Sequence, residues 1–248
     1  MKATRGNRSE KVIRNGSKST KKIGRAKRLP AAEREKMIIE GAIHFFAKEG
    51  FSGRTRDLAA HLGITQPLLY RYFPTKGHLM ERIYHEMVFA RWNPTWTKLL
   101  KDREQDLAHR LTMFYSDYAH AIFSYENFRV FLYMWLRGEN VKKQFLRSAH
   151  RRLFRTICRE LRATCGLPST KETPILEQEE ELAWALHGNV IYLGFREFVF
   201  HLPAAQSREE LIGAYARMFV EGASKEMARL HGAKGTAHKR LRIHDQAP

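Results

Sequence analysis

The stretch Thr55 to Lys76, TRDLAAHLGITQPLLYRYFPTK, constrains this chain more than any other, because it dictates two short helices meeting at a tight turn. Thr55 is placed to cap the first helix, and Leu58, Ala59 and Leu62 then fall at helical spacing on one face. Gly63 stands where that helix must stop, since glycine accepts the left-handed conformation that ends helices. Ile64 plugs the turn into the core. Thr65 caps the second helix, and Pro67 lies in its first turn, where no amide bond is lost. This helix runs from Gln66 to about Tyr72, with Leu69 and Phe73 facing inward. Helix, short turn and polar-tipped helix is the layout that sets a second helix into the DNA major groove. A buried helical hairpin has the same spacing. It has no use, however, for the phosphate donors Tyr70, Arg71, Tyr72 and Lys76 crowded at one end.

On these residues the stretch resembles the DNA-binding signature of the tetracycline-repressor (TetR) family of bacterial regulators. The resemblance covers about residues 34–84 and rests on Thr55, Leu58, Ala59, Gly63, Ile64, Thr65, Leu69, Tyr70, Tyr72, Phe73, Lys76 and Leu79. Arg56 and Gln66-Pro67 look like the tetracycline-repressor branch itself. Leu68 departs from the pattern, standing where the family often has a small or hydroxylated residue, so an apolar base contact is expected there. The resemblance implies an all-α fold, with an N-terminal helix-turn-helix domain followed by a helical domain that binds an effector and dimerises.

Charge distribution agrees with a nucleic-acid partner. Formal net charge is +18, and residues 1–32 hold eleven Lys/Arg against one Glu, while residues 232–248 hold four against one Asp. Basic tails of this kind point to double-stranded DNA, with an anionic membrane surface as the lesser alternative. No apolar run is long enough to span a membrane, and no apolar segment follows the charged N-terminus as in a signal peptide, so a cytoplasmic protein is expected, and the resemblance implies a bacterial, nucleoid-associated one. Cys158 and Cys165 fall on one expected helix, roughly 10 Å apart at the helical rise, too far to bridge.

The pattern predicts about nine helices and no strand. Residues 1–29 read as a disordered basic arm, 30–78 as the DNA-binding domain, 79–231 as the effector and dimerisation domain, and 232–248 as a disordered basic tail. The first helix spans about Pro30–Glu49, with a buried stripe of Ile38, Ala42, Phe45 and Phe46 and a glycine stop at Gly50-Phe51. The fourth starts after Phe73-Pro74 with Thr75 as cap and runs past Trp92 to a break at Asn93-Pro94. Four more follow over about 104–123, 126–137, 139–165 and 174–201. The last opens with a Ser207/Glu210 capping box and ends near Leu230. Glu177, Glu179, Glu180 and Glu181 suit the positive end of their helix and are expected to be solvated.

For base readout the residue chemistry favours Arg56 on guanine and Gln66 on adenine, with Pro67 and Leu68 against thymine methyl groups. Thr55, Thr65, Tyr70, Tyr72 and Lys76 are the further DNA-contact candidates, chiefly to phosphate. Residues 110–200 hold sixteen aromatics. By resemblance this region encloses a small-molecule effector, and Tyr118, Trp135, Trp184, His187 and Tyr192 are the candidate ligand residues; a satisfied core histidine is the competing fate of His187. Gly188, Gly194, Gly213 and Gly222 mark close helix approach. With Leu186, Val190, Leu193, Leu211, Tyr215, Met218 and Met227 they fit either a homodimer interface or an intramolecular core. No catalytic constellation, phosphate-binding glycine loop, cofactor motif or paired metal spacing is found, and His85-Glu86 lacks the second histidine of a zinc protease. The expected function is a ligand-responsive regulator, a repressor, that binds a palindromic operator as a homodimer and is released by an effector, with the fourth helix carrying the change. An architectural DNA-binding protein without a ligand is the competing reading.

Overall fold

The computed structural model describes residues 29–50, 53–136, 143–202 and 204–244. The N-terminal arm, Phe51, the end of the helix expected at Arg137-Gly138 and Pro203 lie outside the described residues. So do the side chains of Trp135 and of residues 233–244. Within them the chain is all-α: α1 Ala31–Glu49, α2 Thr55–His61, α3 Gln66–Tyr72, α4 Lys76–Tyr84, α5 Thr95–Leu100, α6 Leu107–Ile122, α7 Tyr125–Leu136, α8 Lys143–Thr164, α9 Glu177–Phe198 and α10 Arg208–His244. No helix among the described residues is long and apolar enough to cross a membrane.

Two buried clusters organise these helices. The first is built from α1 to α4: Ile38, Ala42 and Phe46 of α1 meet Leu58, Leu69, Phe73, Leu79 and Ile83. Val130 and Met134 of α7 complete it, so this core is not closed by the first four helices alone. The second joins α5, α6, α8, α9 and α10 around Trp96, Phe114, Tyr115, Phe154, Leu186 and Ala216. α10 lies along both α6 and α9.

The short helices end where local chemistry ends them. Gly50 and Gly63 stop α1 and the α2 turn at φ 70° and 63°, the left-handed region that glycine enters without a Cβ clash. Thr65 and Thr75 accept the amides of Leu68 and His78 at 3.3 and 3.1 Å, capping α3 and α4 as expected. The Ser207/Glu210 capping box is also formed, both ways, at 3.2 and 2.9 Å.

Several boundaries differ from the sequence reading. Thr55 does not cap α2: Arg54 holds the N-cap position without a side-chain cap bond, and Thr55 is the first helical residue. The fourth helix does not run evenly past Trp92. α4 gives way to a π-helical stretch, His85–Phe89, closed by Ala90 N–H on His85 O at 2.9 Å. α5 then forms a separate short helix, because Asn93 Oδ1 accepts from both the amide and hydroxyl of Thr95 at 3.0 and 2.8 Å. α6 begins later than Glu104, where Asp106 accepts the His109 amide at 2.9 Å. α9 begins at Glu177, three residues past Pro174. α10 continues beyond Leu230 to His244, into the stretch expected to be a tail, since no proline interrupts it before Pro248.

Glu179 is the largest departure. It is not solvated but fully buried, at 0% exposure, and its carboxylate takes Arg162 Nε at 2.8 Å and Nη2 at 2.6 Å. Arg162 gives its remaining donors to the carbonyls of Pro168, Thr173 and Pro174, which ties the α8–α9 loop to the core. His231 of α10 reaches the same carboxylate at 3.1 Å. Burial would raise the Glu179 pKa, but the Arg162 hydrogen bonds and charge outweigh it and hold the carboxyl below its ordinary value. Glu160 shows the same balance: burial pushes it up, and Arg103 and Arg110 pull it below the usual carboxylate value.

Candidate nucleic-acid interface

The α2–α3 pair buries Leu58, Ala59 and Leu69 and leaves Arg56, Pro67, Tyr70 and Arg71 exposed. The polar residues between these two faces form a network. The Thr55 hydroxyl lies 2.9 Å from the Tyr70 hydroxyl, and Gln66 Nε2 donates to Thr55 Oγ1 at 3.3 Å. Thr55 therefore joins the start of α2 to both ends of α3 instead of capping its own helix. This fixes Gln66 at the first position of α3, with its amide oxygen unused by that bond. Leu68 is half-buried one turn from Thr65, which is itself exposed at the N-cap.

Lys76 plays a part the sequence did not show. Its ammonium donates to Gly53 O at 3.1 Å and sits 5.3 Å from the centroid of the Phe46 ring. It thus anchors the loop before α2 onto the first core. Tyr72 packs at the edge of that core. Arg54, exposed and directly ahead of α2, adds a cation beside Arg56 that the sequence reading left out; its place next to the expected helix start was the available signal.

In the second cluster the structure brings some of the ligand candidates together and separates others. Tyr118 and His187 are buried with ring centroids 5.7 Å apart, and Trp184 borders His187 at 6.2 Å while remaining 43% exposed. Tyr192 does not join them. It is 54% exposed and lies 6.2 Å from Phe200. Two residues the sequence reading passed over belong with Tyr118: Trp96 at 5.8 Å and Tyr115 at 6.2 Å. Trp96 Nε1 and the Tyr115 hydroxyl find no hydrogen-bond partner among the described residues. The aromatic density of residues 110–200 hinted at Tyr115; Trp96 lies ahead of that segment. Among the described residues no group of three or more His, Cys, Asp or Glu is placed to hold a metal ion.

The outer faces of α9 and α10 sort the four glycines. A Cβ on Gly194 would meet Phe128 Cζ at 2.0 Å, and one on Gly213 would meet Arg217 and Thr112 at 3.3 and 3.6 Å, so these two serve packing within the chain. A Cβ on Gly188 or Gly222 would meet nothing within 4 Å. Both are exposed, and they share their faces with Trp184 and Tyr192 on α9 and Met218 on α10. Leu186, Val190, Leu193 and Met227 are buried inside the chain instead.

Residues 38–83 match the sequence profile of the bacterial regulatory proteins of the tetR family. No curated protein sequence gives a significant match to the chain. Among solved structures, a TetR-like transcriptional regulator from a Rhodococcus species is similar at TM-score 0.57 and 18% identity, covering 79% of this chain and 100% of its own. The TetR-family regulator PfmR from Thermus thermophilus superposes at TM-score 0.54 and 20% identity, over 74% of this chain and 97% of that one. A tetR-family regulator from Streptomyces coelicolor matches at TM-score 0.53 and 17% identity, over 88% and 100%. At these identities the structural likeness speaks for the fold.

Proposed function

We propose that this chain, whose residues 38–83 match the tetR-family profile and whose fold is similar to that of TetR-family regulators, is a homodimeric repressor of the bacterial cytoplasm, bound to nucleoid DNA. It holds a palindromic operator with one α3 in each half-site and lets go when a small molecule enters the second domain. The observation that carries this reading is the exposed face of α9 and α10. Two mid-helix glycines, Gly188 and Gly222, are each less favourable in a helix than alanine, and nothing among the described residues requires them. Beside Trp184, Tyr192 and Met218 they let a second copy's helices approach closely. A two-fold dimer then carries two reading heads, and its operator mirrors that symmetry.

At each head Arg56 and Gln66 read bases, with Pro67 and Leu68 against thymine methyl groups. Thr55, Thr65, Tyr70, Tyr72 and Lys76 hold the phosphates. The effector sits at Tyr118 and His187, with Trp184 at its edge. Trp135 remains a candidate through its place on α7, while Tyr192 belongs to the dimer face.

Two elements join head and body. One is α4 with its π-helical stretch, tied to α6 by Arg91 Nη1 on Ala121 O at 2.9 Å. The other is α7. One side of it carries Phe128, which packs on Phe195 and Phe198 of α9 at 5.1 and 5.7 Å. Its other side carries Arg129, whose Nε bonds Ala47 O of α1 at 2.7 Å, and Val130 and Met134 in the first core. An effector that repacks α6 against α9 therefore shifts both links, and the head spacing with them.

Selection of bound DNA from a random pool tests this together with light scattering. The expected result is two inverted half-sites and a particle of twice the 29.0 kDa chain mass. Monomers coating DNA evenly would favour the architectural reading.

A further inference from the structure

Trp96 and Tyr115 are 2% and 0% exposed, and each holds a polar hydrogen that no described residue accepts. Buried donors left unpaired carry an uncompensated desolvation cost, and native cores keep few of them. These two flank the same ring. Trp96 packs against Tyr118 at 5.8 Å and Tyr115 against it at 6.2 Å, while Tyr115 and Tyr118 both border His187 at 6.0 and 5.7 Å. The surroundings are aromatic throughout, with Phe114 4.7 Å from Tyr115.

Charge narrows the occupant further. Among the described residues the buried ions are already matched: Arg110 to Glu160 at 2.9 Å, and Arg162 to Glu179 at 2.6 Å. Arg110 Nε is a third buried donor without a partner among the described residues, but Nη1 of the same guanidinium donates to Glu160 and to the Leu100 carbonyl, and Glu160, shared with the exposed Arg103, pairs its charge. A charged ligand entering among these rings would lose its hydration, and the buried ions among the described residues are already paired. Burial pushes the Tyr115 and Tyr118 phenols above the ordinary tyrosine value, so both keep their protons and the Tyr115 hydroxyl remains a donor.

Resting on the effector-binding reading above, we propose that the ligand of this domain is an uncharged aromatic molecule bearing a hydrogen-bond acceptor, seated against Tyr118 with Trp96 Nε1 and the Tyr115 hydroxyl donating to it. Ring stacking supplies the apolar contact and the acceptor satisfies the two donors.

Four probes separate the classes on the full-length protein: benzophenone, a neutral aryl ketone; diphenylmethane, nearly the same shape without the acceptor; 4-benzoylbenzoate, its anionic relative; and dodecanoate, an aliphatic anion. Binding is read by tryptophan fluorescence and by thermal shift. Benzophenone should bind about tenfold more tightly than diphenylmethane, the worth of one good buried hydrogen bond. Both anions should bind more weakly than either. Tyr115→Phe and Trp96→Phe should each narrow the ketone's advantage, with circular dichroism confirming that the variants fold. Tighter binding of either anion, equal binding of ketone and hydrocarbon, or no binding of any probe to folded protein would overturn the assignment. So would full selectivity kept in both variants. Operator binding is measured alongside. If benzophenone binds with donor-dependent selectivity yet leaves the operator complex intact, the ligand class stands and release by an effector fails.

Discussion

Arg162 and Glu179 form a pair at 1% and 0% side-chain exposure, and each is the other's main counter-charge in the core. Removing one leaves a buried ion unmatched, which costs about 3–5 kcal/mol. Glu179→Ala should therefore lower the melting temperature sharply, and reverse chemical denaturation of both proteins measures the difference. The pair also sets an acid limit. The folded pKa of Glu179 is depressed, so its contribution is fully present above the ordinary carboxylate value of 4.5 and fades as pH falls through the folded value. Melting curves from pH 6 down to about pH 3 should show this loss, and Glu179→Gln should show less of it. In the head, Gln66→Ala and Arg56→Ala should each cost about 1–3 kcal/mol per half-site and relax the preference at one base pair. Lys76→Ala should weaken all sequences alike. Because Lys76 also holds Gly53, it should in addition lower the melting temperature of DNA-free protein. A change of preferred sequence in Lys76→Ala, with none in Gln66→Ala, would place α3 the wrong way round.

Glycines on the last two helices give an element-scale test with opposite signs. Gly194→Ala drives a methyl group into Phe128 and should destabilise the chain by about 1–3 kcal/mol through overpacking. Gly188→Ala and Gly222→Ala meet open space, and the monomer should gain up to about 1 kcal/mol each from helix propensity. The dimer should nevertheless weaken, and sedimentation equilibrium would register it. A dimer constant unmoved by both would remove the α9–α10 interface. The same helices mark how far the sequence could be read. α2, the turn and α3 were legible because the Thr65 cap, a stop glycine and an apolar stripe agree within a few residues of each other, even though Thr55 does not cap α2. The break at Asn93-Pro94 was legible as well, but no residue marks the π-helical stretch, and α5 as a separate helix depends on the Asn93 side chain turning back on Thr95. Glu179 was misread for a similar reason: a glutamate in a first turn looks solvated unless Arg162, seventeen residues earlier on α8, is known to face it. Which glycines are spare and which are filled depends on Phe128 and Thr112, neighbours from α7 and α6 that periodicity along α9 or α10 does not reveal.

For the whole molecule the charge is concentrated at the ends, and residues 2–28 contain eleven Lys and Arg. Each phosphate they neutralise releases counterions, with a salt slope near −0.9 per contact. Deleting residues 1–28 should weaken operator binding and flatten its salt dependence while leaving the ranking of operators unchanged. Binding isotherms at two or more salt concentrations check this, and an unchanged slope would mean the arm does not reach DNA. If Arg25 or Arg28 instead enters the minor groove, the truncation should also erase a preference for A·T pairs flanking each half-site. Within the folded part, the seat of Val130 and Met134 in the first core has a consequence for engineering. Reading heads exchanged between regulators are natural modules, but a chimaera cut straight after α4 would strip this head of two buried side chains and of the Arg129 bond that closes α1. Such a transplant should express as a loosened, aggregation-prone fusion. A graft that carries residues 125–136 along with the head should keep both its fold and its operator.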